Sequence, residues 1–217
     1  MTLAALMSAV GITKTKLSDQ TIVIYGAGSA GLGIARQLRD AMVILDNLDK
    51  GEATKRFHLV DKDGLVTASI VGRTNHAGWA EFQRSDEEGE NGASLLDVVK
   101  NSKATVLIGT STHAGGFTEE IVKEMSKNNK HPIILPLSNP SRLVEAEPKD
   151  IVKWSDGKAL IATGSPFEAC DLPNGGKVMS VSSSSCAPYI RASGSRLCGE
   201  RMESVSVVLT QLQNCRM

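Results

Sequence analysis

Short apolar runs recur along residues 1–181 and are separated by longer segments with a helical period. Each run is almost continuously apolar, which is typical of a strand buried on both faces of a parallel sheet. The five predicted strands are residues 21–25, 57–61, 105–109, 132–137 and 159–163.

Helical periodicity fills the segments between these runs. In residues 29–45, apolar side chains recur four positions apart on one face, at Ala30, Ile34, Leu38 and Met42. Residues 94–102 begin with a serine that can cap a helix, and residues 118–127 open with carboxylates in the first turn. This alternation predicts an α/β fold of Rossmann type, with a doubly wound, mostly parallel sheet and helices on both faces.

Composition and charge exclude several function classes. Lys and Arg (24) balance Asp and Glu (24), so the chain has no overall basic field for nucleic-acid phosphates. No apolar run approaches the ~20 residues that span a bilayer, and the first ten residues predict a short helix rather than a secretory signal. Four cysteines in 217 residues do not form a disulfide framework. We expect a cytoplasmic protein, with mitochondria as the alternative, that binds neither nucleic acid nor membrane.

The last 36 residues differ from the rest of the chain in composition. They contain three of the four cysteines and neither lysine nor aspartate, and they open with four consecutive serines. We therefore divide the chain into a domain at residues 1–181 and a poorly ordered or loosely docked tail at residues 182–217. Residues 204–210 could form a strand. A shifted reading frame or a retained intron would explain the change in composition.

A glycine-rich turn follows the first predicted strand. It reads Gly26-Ala27-Gly28-Ser29-Ala30-Gly31 and stands between a buried strand and an amphipathic helix. In this setting the first glycine permits a sharp turn, the second lets a pyrophosphate approach the backbone, and the third lets the helix pack close to the sheet. The helix start offers unpaired N–H groups to the phosphates. A tight turn without any ligand is the alternative.

Asp61 ends the second predicted strand, where a carboxylate accepts hydrogen bonds from the adenosine ribose and repels a 2′-phosphate. This favours NAD as the cofactor, with NADP as the alternative. Two features weaken the assignment, because Lys62 follows directly and Asp61 lies 35 positions after Gly26, against a usual spacing of about 20. We assign the extra length to the polar stretch 46–55. A plain strand-end cap is the other role open to Asp61.

Small polar residues end the remaining predicted strands. Gly109, Thr110 and Ser111 close the third strand, residues 138–140 the fourth, and residues 164–166 the fifth. Ligands of doubly wound sheets bind at the carboxyl ends of the strands, so we expect these loops to form one cleft with the glycine turn. Asn139 is the best candidate for binding a substrate, because its amide both donates and accepts hydrogen bonds. Ordinary turn chemistry is the alternative for each loop alone.

These stretches resemble the NAD-binding domain of malic enzymes. The similarity covers residues 2–181 and rests on the glycine turn, on residues 58–65, and on two later loops that read Leu137-Ser-Asn-Pro140 and Gly164-Ser-Pro-Phe167. The resemblance implies that the glycine turn, Asp61 and the loop after the third strand hold the dinucleotide. It also implies that Asn139 lies near the nicotinamide and malate.

Malic enzymes are oxidoreductases that convert malate to pyruvate and CO2 with NAD(P) and either Mg2+ or Mn2+. The family's catalytic Tyr and Lys and its metal ligands precede the stretch that this chain resembles. We therefore expect this chain to contain no catalytic residue and no metal ligand, and to be inactive with malate alone. The ligands implied are a dinucleotide and malate or pyruvate.

Two alternatives remain open. The chain could be a non-catalytic dinucleotide-binding or interaction module that acts on full-length malic enzyme subunits. An unrelated dinucleotide enzyme or methyltransferase would leave the Ser-Asn-Pro and Gly-Ser-Pro-Phe loops unexplained.

Among the histidines, we expect His58 to be packed within its strand and His113 to lie near the cleft without a catalytic role.

Overall fold

The chain alternates strands and helices as its apolar pattern predicts. The computed structural model describes residues 2–74, 76, 78–85, 92–165, 167–168, 170–171, 177–178 and 206–208. The strands are β1 Ile22–Tyr25, β2 Phe57–Asp61, β3 Gly64–Leu65, β4 Val106–Gly109, β5 Ile133–Pro136, β6 Leu160–Thr163, β7 Cys170–Asp171, β8 Lys177–Val178 and β9 Ser206–Val208. The helices are α1 Thr2–Thr13, α2 Ser29–Asp46, α3 Lys50–Thr54, α4 Ala68–Thr74, α5 Leu95–Ser102, α6 Glu119–Asn128 and α7 Pro148–Trp154.

One mostly parallel sheet organises these elements, in the order β3-β2-β1-β4-β5-β6-β9. The five central strands are parallel, and β3 and β9 pair antiparallel at the two edges. From β1 the chain moves outward to β2 and then crosses to β4 on the other side of β1. The strand order therefore reverses between β1 and β4, which is where a doubly wound sheet opens a crevice for ligands. The predicted Rossmann-type fold is confirmed.

Helices cover both faces of the sheet, which explains why the strands are apolar throughout. Along β1, Ile22 and Ile24 pack into the core beneath α1 and α2, whereas Val23 packs into the core beneath α5, α6 and α7. Full burial of one such side chain contributes roughly 1.5–3 kcal/mol. His58 is buried in β2, as expected of a packed residue.

Some elements arise without an apolar pattern. The polar stretch 46–55 contains α3, which begins where the Asp49 carboxylate accepts hydrogen bonds from the N–H groups of Gly51 (2.7 Å) and Glu52 (3.1 Å). In the part of the chain that the structure describes, every helix is too short or too polar to span a bilayer.

The carboxyl-terminal residues are described only in part. Residues 206–208 form β9, within the segment for which a strand was predicted, and pair with β6. The rest of the predicted tail at 182–217 lies outside the described residues, and the domain boundary at residue 181 stays a prediction.

Candidate functional site

The glycine turn joins β1 to α2 at the carboxyl edge of the sheet. Gly26 has a φ of +102°, a left-handed conformation that favours glycine, and a Cβ there would lie 2.5 Å from the Thr110 carbonyl carbon. A Cβ on Gly31 would collide with the carbonyl oxygen of Gly26. The packing of the turn thus requires two of its three glycines, whatever the turn binds.

Gly28 is the one glycine of the pattern that packing does not explain. It is the residue before the first turn of α2, its φ is an ordinary −71°, and a Cβ there would meet nothing within 4 Å among the described atoms. No side chain of the described residues caps α2, so the first N–H groups of the helix are left for solvent or a ligand. Gly28, Ser29 and Ala30 are exposed. This geometry suits the close approach of an anion.

Asp61 fastens the end of β2 to the glycine turn. Its carboxylate accepts hydrogen bonds from the N–H of Ala27 at 2.7 Å and from the N–H of Lys62 at 2.9 Å. The capping role that the sequence left open is therefore present. A carboxylate has about four lone-pair sites, so Asp61 retains capacity to accept further hydrogen bonds from a ligand.

Trp79 supports the same turn, although nothing in its local sequence signals this role. The indole Nε1–H donates to the carbonyl oxygen of Ala27 at 2.7 Å, and the residue is only 3% exposed. The ring of His76 stacks on the indole with centroids 4.5 Å apart. Both backbone polar groups of Ala27 are thus hydrogen-bonded, one by Asp61 and one by Trp79.

The loop after β4 is hydrogen-bonded to the glycine turn and to the end of β1 through Thr110. The Thr110 hydroxyl donates to the carbonyl oxygen of Gly26 at 2.8 Å, and the Thr110 N–H donates to the carbonyl oxygen of Tyr25 at 2.8 Å. Gly109 is buried, and a Cβ there would lie 2.5 Å from Oε2 of Glu145. The lack of a side chain at Gly109 therefore makes room for the Glu145 carboxylate.

Glu145 joins the loop after β4 to the loop after β5. It is 0% exposed, and its Oε1 accepts hydrogen bonds from the Ser111 N–H (2.9 Å), the Ser111 hydroxyl (3.0 Å) and the Ser138 hydroxyl (2.5 Å). Ser138 in turn accepts a hydrogen bond from the Thr112 N–H at 2.9 Å. A buried carboxylate needs such donors, because an unsatisfied one would be costly. No motif in the sequence marks Glu145.

Tyr25 and His113 meet at the same edge of the sheet. The Tyr25 hydroxyl lies 2.8 Å from Nδ1 of His113. Burial raises the pKa of the Tyr25 phenol above 10.0, and the negative charges of Asp61 and Glu145 raise it further. The phenol is therefore protonated at neutral pH. His113 lies in the loop near the cleft, where the sequence predicted it.

Asn139 links the loops after β5 and β6. Its Nδ2 donates to the carbonyl oxygen of Leu137 at 3.3 Å, and its Oδ1 accepts a hydrogen bond from the Ser165 hydroxyl. A Cβ on Gly164 would lie 2.6 Å from the carbonyl oxygen of Leu137, so a glycine is needed there. The two loops that the sequence placed in one cleft are in contact.

Comparison with known proteins decides the family. The family model for the NAD-binding domain of malic enzymes matches residues 1–187. The chain belongs to this family. It is 48% identical over 171 residues to the mitochondrial NAD-dependent malic enzyme of Saccharomyces cerevisiae, covering 78% of this chain and 25% of that protein. It is 47% identical over 175 residues to NAD-dependent malic enzyme 3 of Bacillus subtilis, covering 77% of this chain and 30% of that protein.

A solved malic enzyme has the same fold. The crystal structure of the Entamoeba histolytica malic enzyme matches with a TM-score of 0.57 at 25% identity, over 75% of this chain and 30% of that one. The chain thus spans less than a third of the length of these relatives.

In this malic enzyme domain, the predicted site residues gather along one edge of the sheet. They lie at or just after the ends of β1, β2, β4 and β5, and they are Gly26, Ala27, Gly28, Ser29, Ala30, Gly31, Asp61, Gly109, Thr110, Ser111 and Asn139. Their contacts with a dinucleotide or substrate stay predictions. Trp79 and Glu145 complete the scaffold of this edge and were not predicted.

The described residues contain no candidate metal site, because no three His, Cys, Asp or Glu side chains among them converge as they would around a metal ion.

A cavity of about 490 Å3 lies at the opposite, amino edge of the sheet and is lined in part by Lys55, Arg56 and Arg84. These cations lie near the carboxyl-terminal end of α5, whose carbonyl groups favour positive charge. None of the predicted site residues lines this cavity.

Proposed function

We propose that this malic enzyme domain binds NAD at the carboxyl edge of its sheet, between the glycine turn and the loops after β4 and β5. The observation that carries the proposal is Gly28, where the described residues leave open space and provide no side chain that caps the start of α2. A pyrophosphate in that space would receive hydrogen bonds from the first N–H groups of the helix and would be favoured by its dipole.

We propose, from the strand order, that the two halves of the dinucleotide lie on the two sides of the turn. Asp61 ends β2, so the adenosine ribose would lie on that side and donate its hydroxyls to the Asp61 carboxylate. The nicotinamide would then lie towards β4 and β5. Bound NAD supplies a hydride acceptor, and on this side Asn139 is the residue that we propose contacts malate or pyruvate.

The Asp61 carboxylate also favours NAD over NADP. A 2′-phosphate on the adenosine ribose would lie close to this negative charge, and like charges at a few ångströms repel. Lys62 offsets only part of this repulsion, because a lysine at the surface is solvated and mobile.

Oxidation and decarboxylation of malate are proposed for the complete protein and not for these 217 residues alone. We propose that the family's catalytic Tyr and Lys and its Mg2+ or Mn2+ ligands come from outside this chain. General acid and base steps are each worth ~10²–10⁴-fold in rate, so a chain without them should not turn over malate.

The apolar side chains of Ile44 (74% exposed) and Leu45 (53% exposed) lie at the end of α2. Burial of these side chains against another part of a malic enzyme, or against another subunit, would be favourable. An interaction module acting on full-length subunits stays the alternative function. A cytoplasmic location, with mitochondria as the alternative, also stays a prediction.

Thermal unfolding with NAD+, with NADP+ and without ligand tests the proposal. If NAD+ binds with a Kd near 10 µM, a millimolar concentration should add about 2.7 kcal/mol to the free energy of unfolding. We expect a smaller effect from NADP+, and no turnover when malate and Mn2+ are added with NAD+. A folded sample that neither dinucleotide stabilises would contradict the proposed function.

A further inference from the structure

We infer that Glu145 is a positioning residue for the nicotinamide half of the dinucleotide, because its buried carboxylate holds the loops after β4 and β5 in one arrangement. The inference rests on the proposed function. It adds that other residues hold the adenosine side of the site. A change at Glu145 should therefore weaken binding of the nicotinamide half without weakening binding of the adenosine half.

The carboxylate of Glu145 is bound by donors from two loops and by no cation among the described residues. Ser111 supplies an N–H and a hydroxyl from the loop after β4, and Ser138 supplies a hydroxyl from the loop after β5. A carboxylate is an acceptor only, so one group satisfies all of these donors together. A glutamine of the same size would direct an NH2 group at some of them.

The backbone of the loop after β4 depends on this network. Thr112 has a φ of +56°, which is unfavourable for a β-branched residue and persists only where the surroundings impose it. The Thr112 N–H donates to the Ser138 hydroxyl, which itself donates to Glu145. Loss of the carboxylate therefore releases the contacts that hold Thr112 in this conformation.

The adenosine side of the site is supported without Glu145. There the glycine turn is held by Asp61 on the N–H of Ala27 and by Trp79 on its carbonyl oxygen. The Thr110 hydroxyl also donates to this turn, and among the described residues it makes no hydrogen bond to Glu145. Because Glu145 hydrogen-bonds to none of these groups, a change at Glu145 should alter the nicotinamide side and leave the binding of adenosine and diphosphate intact.

Glu145→Gln tests the inference through two ligands, NADH and ADP. ADP carries the adenosine and the diphosphate but no nicotinamide. We expect the variant to bind NADH about tenfold more weakly and ADP within about twofold of the unmodified chain. Glu147→Gln is the matched control, since Glu147 is exposed and pairs with Lys149 at 2.5 Å, and it should leave both affinities unchanged.

Equal weakening of NADH and ADP would show a merely structural role and overturn the inference, as would a variant that binds both ligands normally. If Glu145→Gln does not fold, Ser138→Ala carries the same test, because it removes one donor to Glu145 and the acceptor for Thr112. An unmodified chain that binds neither ligand would contradict the proposed function itself, and with it this inference. If the unmodified chain binds both NADH and ADP, but the variant does not weaken NADH binding more than ADP binding, only the inference about Glu145 is contradicted.

Discussion

Ala27 has no functional group in its side chain, yet its two backbone polar groups hold the glycine turn in place. Asp61 accepts from its N–H and Trp79 donates to its carbonyl oxygen. Because backbone groups away from water must be paired, these two contacts fix the turn before any ligand arrives. A preformed turn leaves little ordering for ligand binding to accomplish, which favours affinity.

Tyr25 should make the stability of the domain depend on pH in the alkaline range. Burial and the charges of Asp61 and Glu145 raise its pKa above 10.0, so the folded state holds the phenol proton more tightly than the unfolded chain. This contribution is fully present below about pH 10 and is lost as the pH rises through the folded pKa. Tyr25→Phe should therefore lose less unfolding free energy between about pH 8 and about pH 10.5.

Urea unfolding at the two pH values measures this difference for Tyr25→Phe and the unmodified chain. The quantity to compare is the drop in unfolding free energy between the two pH values in each protein. Tyr25→Phe also loses the hydrogen bond to His113, and this comparison removes that effect because it is already present at the lower pH. Equal losses in the two proteins would contradict the assignment to Tyr25.

At the scale of elements, α5 begins with a reciprocal cap. The Ser94 hydroxyl donates to the Asp97 carboxylate at 2.6 Å, the Ser94 N–H donates to it at 3.1 Å, and the Asp97 N–H lies 3.3 Å from the Ser94 hydroxyl oxygen. Ser94→Ala should lower the free energy of unfolding by about 1 kcal/mol. Hydrogen bonds from Ser94 lower the pKa of Asp97, so this contribution is present above the usual Asp value and is lost as the pH falls through the folded pKa.

Chemical denaturation at neutral and acidic pH measures the effect. Ser102→Ala is a matched control on the same helix, because its hydroxyl donates to the carbonyl oxygen of Val98 within the helix and caps no helix end. It should change stability by less than about 0.5 kcal/mol. A Ser94→Ala variant as stable as the control would contradict the capping role.

Elements with an apolar period were predictable, and the others were not. The central strands and α2 carry apolar positions in the sequence, and the structure confirms these elements. Leu38 and Met42 are buried on the predicted face of α2, whereas Ala30 in its first turn is exposed. In α3, five residues long, a single cap at Asp49 replaces an apolar face. In α7 the available signal was Pro148, because proline is favoured in the first turn of a helix. β3 has only two residues and exists through its pairing with β2.

At the scale of the whole molecule, the strand order decides which distant residues meet. The rule that ligands bind at the carboxyl ends of parallel strands predicts that the candidate residues lie together, and they do lie along one edge of the sheet. It does not reveal Trp79, which lies 52 positions from Ala27, or Glu145, which lies 34 positions from Ser111. Such pairings depend on how the loops cross above the sheet, and the local pattern of apolar and polar residues does not predict these crossings.

The most direct test of dinucleotide binding at the glycine turn is calorimetric titration of NAD+ into the unmodified chain, Gly28→Leu and Gly33→Leu. A Cβ at either glycine meets nothing within 4 Å among the described atoms, so both variants should fold. The leucine at Gly28 replaces a favourable residue at the start of α2 and should cost about 1 kcal/mol of stability. We predict at least about tenfold weaker NAD+ binding in Gly28→Leu and a change within about twofold in Gly33→Leu. A folded Gly28→Leu variant that binds NAD+ as tightly as the unmodified chain would contradict the proposed site.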